Sequence, residues 1–179
     1  MGIEIVFETH STTEDNEAGR ATGWLPGRLS ERGRAEAREL GRRRARDGIA
    51  AVFCSDLRRA VQTAEIAFDE AEIPLLLDWR LRECDYGDLN GMPAATMHAD
   101  RSDYLDVPYP GGESWRQAVT RGERFLADLP SRWEGRRIVV IGHVATRWAL
   151  DHALRGIAIE DLMRQDFDWR PGWSYVLDA

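Results

Sequence analysis

The sequence contains no lysine, so arginine accounts for all 24 of its Lys and Arg positions. A GC-rich coding bias is the simplest explanation of this composition. The chemical consequence is that any anion site must be built from arginine, histidine, backbone N–H groups and hydroxyls. The net charge of −7 argues against nucleic acid or an anionic membrane as a bulk partner.

Cysteine is scarce, since only Cys54 and Cys84 occur. Without a CxxC pair or a Cys/His ligand spacing, we expect neither a disulfide framework nor a structural metal site. No apolar run approaches the roughly 18 residues that a membrane span needs. Residues 1–7 lack a basic region followed by a long apolar stretch, so they predict a first strand rather than a signal peptide. A cytoplasmic location is predicted.

Apolar runs suited to buried strands alternate along the chain with segments of helical periodicity. The predicted strands are 3–8, 49–54, 73–79, 137–142 and 173–177, and the predicted helices are 30–48, 56–71, 114–133, 144–154 and 160–165. Residues 9–26 are predicted as loop, and 86–110 as irregular with a short helix near Ala94. This alternation predicts an α/β fold, a three-layer α/β/α sandwich with a mostly parallel central sheet. We expect one domain over residues 1–179.

Two of the four histidines directly follow a predicted buried strand. These are His10 and His143, and the carboxyl ends of parallel strands meet at one edge, where ligands bind. His98, in the irregular segment, and His152, within a helix, are interpreted as structural. The sequence therefore predicts a site that contains His10 and His143.

A carboxylate and a guanidinium are predicted at the same edge. The third strand leads to Glu83, and the helix after the second strand opens with Arg58 and Arg59. A helix N-terminus offers free N–H groups and a positive dipole, and the arginines add charge. Two imidazoles, an acid, a guanidinium and a helix dipole are the groups needed to bind phosphate and move a phosphoryl group.

The segments that carry these residues resemble the histidine phosphatase, or phosphoglycerate mutase-like, superfamily. SDLRRAVQTA at 55–64 is similar to the family's S-x-L-x-R-A-x-x-T-A segment, and LRECDYG at 81–87 resembles its L-x-E-x-x-x-G segment. Further matches, in the family's order, are N…RATGW at 16–24, LSERG at 29–33, PGGES at 110–114 and the strand that ends in GH at 142–143.

The resemblance implies a role for each matching residue. His10 would attack phosphorus, His143 would assist, and Glu83 would act as general acid. Arg59 would bind the phosphate with help from Asn16. Thr9 and Ser11, which do not match the family, are predicted to contact the phosphate through their hydroxyls. The substrate loop would contribute Arg20, Thr22, Gly23 and Trp24, with Trp24 as the ligand-contacting aromatic. The resemblance implies no cofactor and no metal.

The sequence departs from the family at the reaction centre. Thr9-His10-Ser11 stands where the family has Arg-His-Gly, and Val144 stands where a glycine usually follows the second histidine. Losing such an arginine without replacement costs roughly 10²–10³ in rate. Three compensations are open. Another arginine could take the place (Arg20, Arg28 or Arg147), loop hydroxyls could donate instead (Thr9, Ser11, Thr12 and Thr13), or the substrate could differ, even carrying a cationic group near Glu8 or Glu113.

Three functions follow from this pattern. The favoured one is a phosphatase acting on a phosphomonoester of a small soluble metabolite through a phosphohistidine on His10. A catalytically silent or repurposed ligand binder is the alternative from another class. A phosphoglycerate mutase-type transferase is less favoured, because the chain lacks the longer insertions of mutases. Substrate choice is expected from residues 90–114. A homodimer built on tryptophans is an option, although core packing is their commoner role; these are Trp133, Trp148, Trp169 and Trp173.

Overall fold

The computed structural model describes residues 2–178 and contains a five-stranded sheet. Its strands are β1 (Ile3–Thr9), β2 (Ala51–Cys54), β3 (Leu75–Leu77), β4 (Arg137–Gly142) and β5 (Trp173–Leu177). The spatial order is β3-β2-β4-β1-β5, and only β5 runs antiparallel to its neighbour. The predicted α/β fold with a mostly parallel sheet is confirmed.

The helices between and around the strands are α1 (Glu14–Glu17), α2 (Glu31–Arg44), α3 (Arg58–Phe68), α4 (Ala94–Asp100), α5 (Trp115–Asp128), α6 (Pro130–Trp133), α7 (Val144–Arg155) and α8 (Ile159–Arg164). Ser30 caps α2, because its side chain accepts a hydrogen bond from the N–H of Gly33 at 3.2 Å. None of the helices within residues 2–178 is long and apolar enough to cross a membrane.

The alternation of side chains along the central strands builds the layers. On β4, Ile138 and Val140 belong to the core cluster that includes Phe125 of α5 and Leu150 of α7. The intervening Val139 and Ile141 belong to the cluster on the other face, which includes Ala60 and Ala64 of α3. Successive side chains of a strand point to opposite faces. Both faces of the sheet are therefore covered by helices.

Two boundaries differ from the sequence prediction for reasons of capping and proline chemistry. The loop predicted at 9–26 contains α1. Thr13, the N-cap residue of α1, and Asn16, its third residue, form a reciprocal capping box with two hydrogen bonds of 3.0 Å. The helix predicted to reach Trp133 ends at Asp128, and α6 begins at Pro130. Proline has no N–H to donate and its ring clashes with the preceding turn, so it starts a new helix.

The strand predicted at 73–79 is shorter than expected. Pro74 has no N–H for the ladder, although its carbonyl accepts from Val52 at 3.0 Å. At the other end, the Asp78 carboxylate accepts the N–H of Arg80 at 2.9 Å and starts a 3₁₀ turn. This leaves β3 with the three residues Leu75–Leu77 at the edge of the sheet.

Glu8 is a buried acid next to the end of β1, and α2 neutralises it. Its carboxylate accepts hydrogen bonds from Arg43 at 3.1 Å and from Arg44 at 2.6 Å. Arg44 also donates to the carbonyl of Pro171 at 3.1 Å, which ties the segment before β5 to β1. Because Glu8 already has two guanidinium partners, the idea of a cationic substrate group bound there is wrong.

Candidate active site

The carboxyl ends of β1 and β4 bring His10 and His143 together. The N–H of His10 donates to the Gly142 carbonyl at 3.0 Å, and the two imidazole centroids lie 5.0 Å apart. Arg59 at the start of α3 and Glu83 after β3 reach the same place. All four side chains line one cavity of about 470 Å³. The sheet edge therefore assembles the four residues that the sequence placed at strand ends.

The His10 imidazole is held in one tautomer. Its Nδ1 lies 2.8 Å from the Ser11 carbonyl, which can only accept a hydrogen bond, so Nδ1 carries the proton. Burial, with the nearby Arg59 charge, lowers the pKa of His10 to about 3. Nε2 is therefore unprotonated at neutral pH and available as a nucleophile.

Ser11 serves the site through its backbone. Its N–H donates to Thr63 Oγ1 at 3.0 Å, and that hydroxyl donates to the Arg59 carbonyl at 2.7 Å. Among the residues that the structure describes, the cavity lining includes Thr9, Thr12 and Asn16 but not Ser11. The predicted Ser11 hydroxyl contact with phosphate is thus not favoured by the structure, whereas its carbonyl orients His10.

His143 is 1% exposed and lies between a hydroxyl and a guanidinium. Its Nε2 is 2.6 Å from Ser55 Oγ, and its Nδ1 is 3.4 Å from the nearer Arg59 nitrogen. Burial and the charge of Arg59 put the pKa of His143 well below its usual value. Because a guanidinium can only donate, Nδ1 accepts from Arg59 in this structure, and the proton of the neutral ring is on Nε2 next to the Ser55 hydroxyl.

Arg59 is almost fully buried, and the substrate loop holds its guanidinium. It donates to the Gly23 carbonyl at 2.8 Å. Gly23 has a φ of +55°, and a Cβ there would lie 1.8 Å from the amide oxygen of Asn90. Only glycine allows this approach. Burial lowers the pKa of Arg59 below its usual value, partly opposed by Glu83.

Glu83 sits on the N-terminus of α7. Its carboxylate accepts the backbone N–H groups of Ala145 at 3.1 Å, Val144 at 3.3 Å and Cys84 at 2.9 Å. Burial nevertheless raises the pKa of Glu83 above its usual value. A carboxyl group with a raised pKa at a cavity wall can deliver a proton. Val144, the departure from the family's glycine, contributes one of these N–H donors.

The backbone of Glu83 is clamped by Arg121, a residue that the sequence analysis missed. Arg121 is 5% exposed on α5 and donates to the carbonyls of Arg80, Arg82 and Glu83 at 2.9, 2.8 and 2.7 Å. It also forms two 2.8 Å hydrogen bonds to Glu113. An arginine within the apolar stripe of a helix was the available signal. Since Glu113 is paired with Arg121, the idea that a cationic substrate group binds to Glu113 is also wrong.

Trp24 supports the same backbone and does not reach the ligand space. Its indole N–H donates to the Glu83 carbonyl at 2.6 Å, and Arg82 lies over its ring at 4.4 Å. Within residues 2–178, Trp24 is absent from the cavity lining. The structure therefore assigns Trp24 a supporting position rather than the predicted contact with the ligand.

The remaining residues of the substrate loop do line the cavity. Thr22 donates to Asp15 at 3.0 Å, and the Asn16 amide oxygen is engaged by Thr13. Arg20 lines the cavity and forms no ion pair within residues 2–178. Arg28 instead pairs with Glu14 at 2.6 Å, at the surface and away from the cavity lining.

Among the candidates to replace the missing motif arginine, Arg20 alone is at the cavity. Arg147 pairs with Asp151 at 3.2 Å and lies over the Trp173 ring at 4.7 Å, outside the lining of the main cavity. The lining also contains residues that the sequence analysis did not select as ligand contacts. His98, which was interpreted as structural, is one of them. The others include Arg32, Glu36, Met97, Phe167 and Trp169.

Comparisons with known proteins identify the family of the chain. Residues 5–171 match the family model of the histidine phosphatase superfamily (branch 1). A 2,3-bisphosphoglycerate-dependent phosphoglycerate mutase of Methylobacterium radiotolerans is 37% identical over 169 residues, covering 86% of this chain and 79% of that protein.

Solved structures give the same family. YhfR of Bacillus stearothermophilus has a TM-score of 0.82 at 26% identity, covering 94% of this chain and 88% of that one. A mycobacterial glucosyl-3-phosphoglycerate phosphatase complexed with VO3 has a TM-score of 0.78 at 29% identity, covering 89% and 85% of the two chains. Because the family model covers residues 5–171, the chain belongs to the histidine phosphatase superfamily, branch 1.

Proposed function

We propose that this chain is a phosphatase that hydrolyses a phosphomonoester of a small soluble metabolite through a phosphohistidine on His10. The observation that most supports this proposal is the fixed tautomer of His10, whose Nδ1 lies 2.8 Å from the Ser11 carbonyl oxygen. Its low pKa leaves Nε2 unprotonated in a cavity that also contains Arg59, Glu83 and His143. A similar solved structure is a phosphatase by name, which supports the reaction class.

In the first step, Nε2 of His10 forms a bond to phosphorus while the bond between phosphorus and the ester oxygen breaks. Arg59 holds the equatorial oxygens, where charge develops. His143 joins it once its proton moves from Nε2 to Nδ1, which Ser55 permits because its hydroxyl can donate to Nε2. Thr9 and Asn16, both at the cavity wall, donate further hydrogen bonds. Glu83 gives its proton to the departing alcohol, so a poor leaving group departs as a neutral molecule.

In the second step, Glu83 is a carboxylate and takes a proton from water as that water attacks the phosphohistidine. The bond from phosphorus to nitrogen breaks, inorganic phosphate forms and His10 returns to its starting state. Arg59 and the donors around it supply the positive charge, so the proposed mechanism uses no metal. Arg20, Thr22 and Gly23 are proposed to shape the entrance for the alcohol.

A phosphoglycerate mutase is the second candidate, because curated relatives carry that name. The two reactions share the phosphohistidine and differ in the acceptor, which is water for a phosphatase and a second alcohol for a mutase. Incubation with 3-phosphoglycerate and a trace of 2,3-bisphosphoglycerate, which supplies the first phosphoryl group to His10, separates them: a mutase forms 2-phosphoglycerate, whereas a phosphatase releases inorganic phosphate. A ligand binder without turnover would do neither.

The decisive experiment combines turnover with intact-protein mass. A panel of phosphorylated metabolites is screened for phosphate release, and the protein is quenched in acid-free buffer to preserve a phosphoryl adduct. We expect both signals in the wild type and neither in His10→Ala. The matched control is His152→Ala, because His152 bonds the Ile157 carbonyl at 2.7 Å outside the cavity and should keep both signals. An adduct that survives His10→Ala would overturn the proposal.

A further inference from the structure

The cavity continues past the phosphoryl-binding groups into apolar space. Its volume is about 470 Å³, far more than a phosphoryl group occupies. The additional wall comes from Met97 of α4 and from Phe167 and Trp169, which lie between α8 and β5. Since the space is continuous with His10 and Glu83, it can receive the group that carries the phosphoryl group. The inference below rests on the proposed function and concerns the alcohol part of its substrate.

Two aromatic side chains at this wall are unusually exposed. Trp169 is 59% exposed and Phe167 is 38% exposed. Phe167 is nevertheless held in place, because its ring centroid lies 6.0 Å from that of the buried Trp173 and Arg147 lies 5.8 Å from it. Large aromatic rings exposed side by side at a concave wall leave favourable burial free energy for a ligand.

The apolar wall extends further into a recess of about 40 Å³ behind it. The recess shares Met97 and Phe167 with the main cavity and adds the buried Trp115 and Trp148. These two indole rings lie 4.6 Å apart and belong to one core cluster. The wall that faces the ligand is thus backed by packed aromatic rings, which keep it in place when a ligand is absent.

Several of the charges around the apolar space are already neutralised by carboxylates of the protein. Besides Arg59, the main cavity is lined by Arg20 and Arg32, and Arg32 is paired with Glu36 at 2.8 Å. In the recess Arg147 is paired with Asp151, and Arg101 donates to the Gln165 carbonyl at 3.0 Å. The carboxylate of a phosphoglycerate would therefore find Arg20 as its one unpaired arginine in the main cavity lining within residues 2–178.

We infer that the alcohol part of the substrate is a bulky, apolar group with an aromatic ring, which lies against Phe167, Trp169 and Met97. Aromatic side chains prefer offset or edge contacts with a bound ring and add specificity to the area they bury. This makes the segment between α8 and β5, rather than residues 90–114 alone, a determinant of specificity.

The test is binding of two phosphonates, which no phosphatase cleaves, measured by titration calorimetry. We expect (1-naphthylmethyl)phosphonate to bind at least about tenfold tighter than methylphosphonate. Trp169→Ala should remove most of that difference and leave methylphosphonate within about twofold, which also shows that the variant is folded. Trp79→Ala is the matched control, since Trp79 is 53% exposed and lies outside this cavity. Equal binding of the two phosphonates, or equal effects of the two variants, would overturn the inference.

Turnover distinguishes this inference from the proposed function. Phenyl phosphate, 1-naphthyl phosphate and 3-phosphoglycerate are compared for phosphate release that depends on His10. Preference for the naphthyl ester supports the inference. Selective binding of the naphthyl phosphonate without any phosphate release would contradict the proposed function and leave the apolar subsite standing. Phosphate release with a preference for 3-phosphoglycerate would contradict the subsite and leave the phosphatase standing.

Discussion

At the scale of the residue, burial shifts the pKa values of the proposed nucleophile, His10, and the proposed acid, Glu83, in opposite directions. It lowers the pKa of His10 to about 3 and raises the pKa of Glu83, so each is driven toward its neutral form. A neutral imidazole is a nucleophile, and a neutral carboxyl group is an acid. The same dry environment therefore prepares both partners of the first step.

The acid role of Glu83 predicts a dependence on the leaving group. Glu83→Gln should slow the first step about 10²–10⁴-fold for an alkyl phosphate and far less for p-nitrophenyl phosphate, whose leaving group departs without a proton. The burst of product in stopped-flow isolates that step from water attack. Glu36→Gln, also at the cavity wall, is the control and should change neither substrate much. Equal losses on both esters would exclude proton donation by Glu83.

The raised pKa of Glu83 predicts how the rate of the first step changes with pH. Since Glu83 must be protonated in the first step, the burst rate with an alkyl phosphate should fall as pH rises through its raised pKa. His10 contributes no acidic limb above about pH 3, because it is already neutral there. A burst rate that rises with pH between 5 and 8 would contradict this assignment.

Thr9 predicts a gain of function. The residue lines the cavity directly before His10, and besides Arg59 the lining contains one more arginine without an ion pair within the described residues, Arg20. Thr9→Arg should raise kcat/KM on aryl phosphates about tenfold or more by adding a guanidinium next to the phosphoryl group. Thr9→Gln, which adds length without charge, should not. Absence of any gain would indicate that Arg20 already supplies that charge.

At the scale of the element, the site depends on how α5 and α7 grip the short segment after β3. The N-terminus of α7 donates backbone N–H groups to the Glu83 carboxylate, and Arg121 of α5 holds the carbonyls of residues 80, 82 and 83. This segment has little regular structure of its own. Its geometry is therefore set by hydrogen bonds from two helices.

Removal of the Arg121 side chain should lower the stability of the fold. Arg121→Ala leaves the largely buried Glu113 carboxylate without its counter-charge and removes the guanidinium from three carbonyls, of which that of Glu83 keeps Trp24 as a donor. We expect about 3–5 kcal/mol less unfolding free energy by urea titration. Arg116, on the same helix, is the control: its guanidinium is 41% exposed and pairs with Asp106 and Glu160. Arg116→Ala should cost at most about 1 kcal/mol. Similar losses in the two variants would contradict the clamp.

At the scale of the whole molecule, the half-buried His10 and the buried His143 make stability depend on pH. Both pKa values are lowered in the folded chain, so between about pH 6.5 and pH 3 the unfolded chain binds more protons. Stability should therefore fall as pH falls below 6.5, by up to about 1.4 kcal/mol per pH unit for each histidine. Urea titrations at pH 5 and 7 should show a smaller difference in His10→Asn. An unchanged difference would mean that His10 does not titrate as described.

The alternation of strands and helices and the position of the histidines followed from the sequence alone. Hydrophobic periodicity is a local property, and the carboxyl ends of parallel strands must meet at one edge. Prediction of the helices from local sequence failed at two places. At Pro130 a single residue ended one helix and began another, and a capping box between Thr13 and Asn16 stabilised a short helix in a predicted loop.

Only the tertiary structure decided which side chains complete the site. Trp24 reaches the Glu83 carbonyl across 59 positions, and Arg44 reaches the Pro171 carbonyl across 127. Contacts at such separations leave no periodic trace in the chain, because they are set by how the layers pack. Packing took Trp24 away from the ligand space and brought Phe167 and Trp169 to it. The sequence by itself thus determined the sheet, its edge and the placement there of the four residues proposed to react, while packing alone determined the wall against which a substrate would lie.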